Sequence, residues 1–192
     1  MRPITIAVVA VLASAALADA PVRKGFWKIL VKPKAKWVLY GPKKVSRLVV
    51  ETHDVRKVGD ADVARLRWTR IAGDGAKSNY TCDGCYTQVA VTSAGMYIVS
   101  DAKDDAQIAA SLKAKPSRSD PPKPYKPTEE NHERYLEIKG GLVCFGELTP
   151  CPDGDCEGTD HAEICISPDN GIVKVAGNWA PNLDDFKADG AD

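Results

Sequence analysis

Apolar and polar positions alternate cleanly over Ala61–Ile71 (ADVARLRWTRI): Ala64, Leu66 and Trp68 fall on one side, and Val63, Arg65, Arg67 and Thr69 on the other. A period of two is that of a strand with one buried face. The run before it, Arg47–Val58 (RLVVETHDVRKV), is separated by Gly59-Asp60, so the pair reads as a hairpin. Residues 36–41 (KWVLYG) are a shorter apolar stretch ended by Gly-Pro, and 87–92 and 96–100 flank a Ser93-Ala94-Gly95 turn. Farther on, 135–139 and 142–146 flank Gly140-Gly141, a two-residue loop signal. Residues 162–167 and 172–176 flank Pro168-Asp169-Asn170-Gly171, a strong turn sequence.

One segment carries helical spacing instead. In residues 101–115 (DAKDDAQIAASLKAK), Ile108 and Leu112 are four apart with Ala109 beside them. Asp104 and Asp105 sit early, and Lys113 and Lys115 late, as the helix dipole favours. The stripe is narrow, which predicts a helix lying on a sheet face. Residues 116–128 (PSRSDPPKPYKPT) hold five prolines and predict an extended connector rather than a long strand or helix. The fold expected is therefore mainly β, or α+β by strict count. It comprises roughly nine strands in one or two antiparallel meander sheets, one helix packed on a face, and disulfide staples.

The N-terminus changes the picture. Arg2 precedes an uncharged run from Ile4 to Leu17, and small residues then allow cleavage after Ala18 or Ala20. That pattern predicts a signal peptide over residues 1–20 rather than a retained membrane span. The mature chain is expected to have no span and to be exported, to the periplasm or the extracellular space. It divides into a β meander plus helix over 21–115, the proline-rich connector over 116–128 and a Cys-rich β meander over 129–182. An acidic tail over 183–192 is expected to fray. The two β parts are compatible with a single domain.

In an exported chain, six cysteines read first as disulfides. Cys144 and Cys165 lie on strands expected to face each other, and Cys151 and Cys156 are nested about nearly the same centre. The pairs Cys144–Cys165 and Cys151–Cys156 follow, leaving Cys82–Cys85 to tighten a turn. A redox role for Cys82-Asp83-Gly84-Cys85 lacks the helix N-terminus that would lower a thiol pKa, because the motif runs into a strand pattern. Zinc is disfavoured by the oxidising compartment and by the wide Cys151-to-Cys156 spacer. Asp153, Asp155, Glu157 and Asp160 offer hard oxygen ligands, but Ile164 occupies the twelfth position where an EF-hand needs a carboxylate. Only an irregular, weak calcium loop remains as an alternative there, and no cofactor or metal is expected.

Net charge is zero, with 26 basic and 26 acidic residues, but it is unevenly spread. Residues 23–44 carry eight basic residues, no acids, and the aromatics Phe26, Trp27, Trp37 and Tyr40. Lys24, Lys28, Lys32, Lys34, Lys36, Lys43 and Lys44 thus form a possible anion-contact surface. The competing reading puts Trp37 and Tyr40 in the core and lysines on an ordinary solvent face. The three histidines, His53, His132 and His161, fall in no HExxH, and GxSxG, P-loop and GxGxxG motifs are absent.

The function expected is a non-enzymatic binding or structural module of the envelope or extracellular space, with an envelope polyanion or another protein as partner and no nucleic acid. The alternatives are a hydrolase in which one of the histidines meets a carboxylate or hydroxyl, an inhibitor presenting the loop 149–159, and a hydrophobic carrier with a large apolar cavity.

Overall fold

Over Ala61–Ile71 the chain forms strand β3, with Leu66 and Trp68 buried and Arg65 and Arg67 exposed. The computed structural model describes residues 22–81, 85–126, 134–149, 160–177 and 184–189. Among these are twelve strands, all in one curled antiparallel sheet. The N-terminal part supplies β1 (Lys36–Tyr40), β2 (Arg47–Val58), β3, β4 (Lys77–Asn79), β5 (Gln88–Val91), β6 (Gly95–Ile98) and β7 (Arg118–Ser119). The C-terminal part supplies β8 (Arg134–Lys139), β9 (Leu142–Thr149), β10 (Asp160–Ser167), β11 (Gly171–Gly177) and β12 (Asp184–Lys187). The strand order is β7-β6-β5-β3-β2-β1-β12-β11-β10-β9-β8, with β4 paired to β3 beside that path.

Three strands exceed the nine expected, and each is short. β4 and β7 have three and two residues, too few to show alternation. β12 lies in the acidic segment expected to fray, and it is no free tail. It pairs with β1 at Tyr40↔Lys187 and with β11 over four residues. Its anchor is Phe186, fully buried against the Tyr80 ring at 5.8 Å between centroids. Two meanders, one from each half, are thus joined through a strand late in the chain.

The core inside the curl draws on both halves: Leu39, Leu48, Val50 and Met96 from one, Leu136, Val143, Ile166 and Val175 from the other. A six-residue 3-10 helix, Phe26–Val31, packs against β2, β3 and β5 and sends Trp27 into this core. Trp27 is completely buried, makes edge contacts with Phe26 and Phe145, and donates from Nε1 to the Ser119 carbonyl at 2.8 Å. Burial of a side chain this large contributes on the order of 3 kcal/mol. The Asp120 carboxylate accepts from the backbone N–H of Gly25 (2.7 Å) and of Phe26 (3.3 Å), capping the helix from across the fold. At its exit, the Thr52 hydroxyl donates to Lys32 O and accepts from Ala35 N, tying the segment to β2.

The helix expected over 101–115 is shorter, α1 (Asp105–Ser111), with Asp104 accepting from Gln107 N as its cap. It lies on the opposite face of the sheet through Ile108, over Val58, Val63, Ala90, Tyr97 and Val99. Only one of its side chains is fully buried, which explains why it runs for only two turns. The proline-rich stretch is stitched into the sheet rather than set apart from it. Arg118 pairs with Met96 in β7, and Tyr125 forms an isolated bridge with Leu136. The Arg118 guanidinium lies 5.3 Å from the Phe145 ring centre and 5.7 Å from that of Tyr125, so the two margins of the sheet approach each other.

Candidate functional site

The seven lysines expected to form an anion-contact surface are all exposed, but they separate into groups. Lys36 pairs with Glu51 at 2.9 Å, and this hydrogen bond holds the Glu51 carboxyl below its ordinary range. Lys44 pairs with Asp189 at 2.5 Å and sits over the Tyr40 ring. Lys34, Lys43 and Lys44 have φ of 57°, 54° and 56°, left-handed values that a residue with a Cβ adopts at a cost. Lys24, Lys28 and Lys32 remain with Arg23 around a cavity of about 470 Å³. Its apolar wall comes from Ile29, Val31, Val55 and Pro168, between the 3-10 helix and the tip of the β2–β3 hairpin. None of these four cations is in an ion pair among the described residues. Asp62, which among the described residues is the one carboxylate lining the cavity, pairs with Lys57 at 2.7 Å.

The aromatics interleaved with these lysines do not share the surface. Phe26, Trp27 and Trp37 belong to the core, and only Tyr40 is half-buried. Phe26, Trp27 and Trp37 are therefore closed to a stacked ligand. The sequence could not separate these roles, because lysine and aromatic positions alternate too irregularly for a face to be assigned.

Cys144 and Cys165, opposite each other in the β9–β10 register, are joined by a disulfide, and both are buried. Glu163 brings a carboxylate oxygen within 4.8 Å of both sulfurs. The sulfurs are bonded to each other and so are not thiolate ligands. The carboxylate is held instead by Lys174 and the Tyr135 hydroxyl, each at 2.8 Å. Burial, then the hydrogen bond to Glu163, pushes the Tyr135 phenol far above its ordinary pKa. Cys85 is also disulfide-bonded and buried. Cys82, Cys151 and Cys156, and the acids Asp153, Asp155 and Glu157, lie outside the described residues, as does most of the 149–159 loop. Asp160 opens β10 opposite Thr149.

Of the histidines, His132 lies outside the described residues and His161 is placed by its backbone in β10. His53 sits in β2 opposite Arg65, and its Nε2 is buried without a hydrogen-bond partner. It lines a second cavity of about 480 Å³ with Arg65, Arg67 and Gln88. Gln88 carried no signal in the sequence, because its significance comes from lying beside Arg65 on the neighbouring strand. Among the described residues, no helix is long and apolar enough to cross a membrane. Comparison with protein-family models, curated proteins and solved structures finds no match.

Proposed function

We propose that this chain is an exported, disulfide-stabilised, non-enzymatic binding module whose N-terminal basic surface docks on an anionic component of the cell envelope. The observation that carries the reading is the set of four exposed cations, Arg23, Lys24, Lys28 and Lys32, unpaired among the described residues, around a cavity with an aliphatic wall. Unpaired cations gathered at a concavity attract an anion over several ångströms, and the low-dielectric wall focuses that field. Lysines kept in left-handed backbone at Lys34 and Lys43 add positive charge where glycine would be less strained.

The test is binding of the full chain to heparin, as a soluble polyanion, across a salt series. Saturable binding that weakens steeply with salt, and that falls at least about tenfold in a Lys24→Glu/Lys28→Glu/Lys32→Glu variant, is the expected outcome. Binding equal in the variant and the parent would refute the assignment of this surface.

A further inference from the structure

Strand β3 changes neighbours along its length. It pairs with β5 over Asp62 to Arg65 and with β4 over Thr69 to Ile71. Between them the ladder is carried by Leu66 N donating to Thr87 O and Tyr80 N donating to Trp68 O. The second cavity, about 480 Å³, opens at this changeover. Its polar side is a row of register partners on three adjacent strands: His53 faces Arg65, and Arg65 faces Gln88. Register partners point to the same side of a sheet, so the three side chains form one cluster.

The orientation of the Gln88 amide follows from its neighbour. Arg65 Nε donates to Gln88 Oε1 at 3.0 Å, which assigns the other amide position to the NH₂ group. Gln88 is 4% exposed, and its Nε2 is buried with no hydrogen-bond partner. His53 Nε2 is in the same state. A buried donor without an acceptor is costly, and each such group in a native fold calls for a partner. The surrounding charge says what kind. Arg65 and Arg67 lie two apart on the same side of β3, and among the described residues no carboxylate lines the cavity. Asp54, 3.8 Å from Arg65, is engaged by Arg56 at 2.7 Å. Beyond the cations, the wall offers the hydroxyls of Thr81, Thr87 and Ser100.

We propose that this cavity binds a small acidic sugar, with its carboxylate on Gln88 Nε2, His53 Nε2 and the arginines. Its hydroxyls would face the threonines and Ser100. Two cations, the vacant Gln88 amide donor and the unpartnered His53 Nε2 suit one oxyanion, a hydroxyl-bearing wall suits a polyol, and the volume suits a monosaccharide or disaccharide. The site lies at the β3 changeover, shares no lining residue with the lysine-rimmed cavity and does not depend on the function assigned to that surface.

The experiment is calorimetric titration of the full chain with glucuronate, glucose and sulfate, with the His53 ring signals followed by NMR. Expected are saturable glucuronate binding that moves the His53 signals, and affinities for glucose and for sulfate each lower by roughly tenfold or more. Arg67→Gln, at an exposed position that folding tolerates, weakens glucuronate binding by roughly tenfold, and Gln88→Glu, which replaces the vacant donor by a like charge, abolishes it. The triple lysine variant leaves it unchanged, which separates this site from the polyanion surface. The proposal is overturned by equal affinity for glucuronate and glucose, by sulfate binding as tightly as glucuronate, by no saturation up to about 10 mM, or by indifference to Arg67→Gln in a folded protein.

Discussion

Gly171 opens β11 with φ of +72°, just after the Pro168-Asp169-Asn170 turn. A Cβ built there would lie 1.9 Å from Trp37 Nε1 and 2.5 Å from Trp37 Cε2. The Trp37 indole of β1 thus lies directly against the start of β11. Gly171→Ala therefore acts twice. The left-handed backbone costs about 1–2 kcal/mol once a Cβ is present. Displacing a buried indole adds about 1–3 kcal/mol of overpacking. The expected loss is about 2–5 kcal/mol, read by urea denaturation followed by tryptophan fluorescence. Trp37→Phe removes the ring atoms in the way, so the double variant should recover the overpacking part and keep the backbone part. A coupling of about 1–3 kcal/mol between the two substitutions is the signature. If the two changes simply add, to within about 0.5 kcal/mol, the close approach of Trp37 to Gly171 is wrong.

Two further outcomes follow from buried polar groups. Arg118 is buried against Phe145 and Tyr125 with no carboxylate partner among the described residues, its Nε unpartnered. Arg118→Met should leave stability within about 1 kcal/mol of the parent or raise it, while Arg118→Ala should cost about 2–4 kcal/mol by leaving a cavity; chemical denaturation of both variants compares them, and equal losses would contradict a packing role. Tyr135, whose folded pKa is raised, binds its proton more tightly in the folded state than in the unfolded one. The stability this supplies is complete below the unfolded phenol pKa near 10 and is lost as pH rises beyond it. Ultraviolet titration should show one tyrosine resisting ionisation until unfolding, and Tyr135→Phe should remove that resistant group.

How much of this was legible in the sequence depends on how many residues a feature takes to declare itself. β2 and β3 run long enough for alternation to appear, and their ends fall where the hydrophobic pattern and Gly59-Asp60 put them. Cys144 faces Cys165 because a hairpin of known strands has a definite register. β12 has four residues, three of them charged, and only Phe186 marks it as interior. β7 is hidden among prolines for the same reason. The lysine-rimmed cavity was half visible: the charge run was plain, but the burial of Phe26 and Trp27 required the core contributed by β9. The His53–Arg65–Gln88 row could not be read at all, since its members are brought together by three strands and no local spacing records it.

The position of β12 bears on the order in which the molecule can be completed. It is the latest in chain order of the strands described, yet it carries the ladder joining the two meanders. Each meander can assemble from near neighbours as it is synthesised, whereas their union waits for residues 184–187. Contacts between β1 and β12 span almost the whole chain, and loop closure on that scale makes the final step slow. Until then the facing edges of β1 and β11 stay unpaired. The finished sheet therefore cannot lock before β12 arrives.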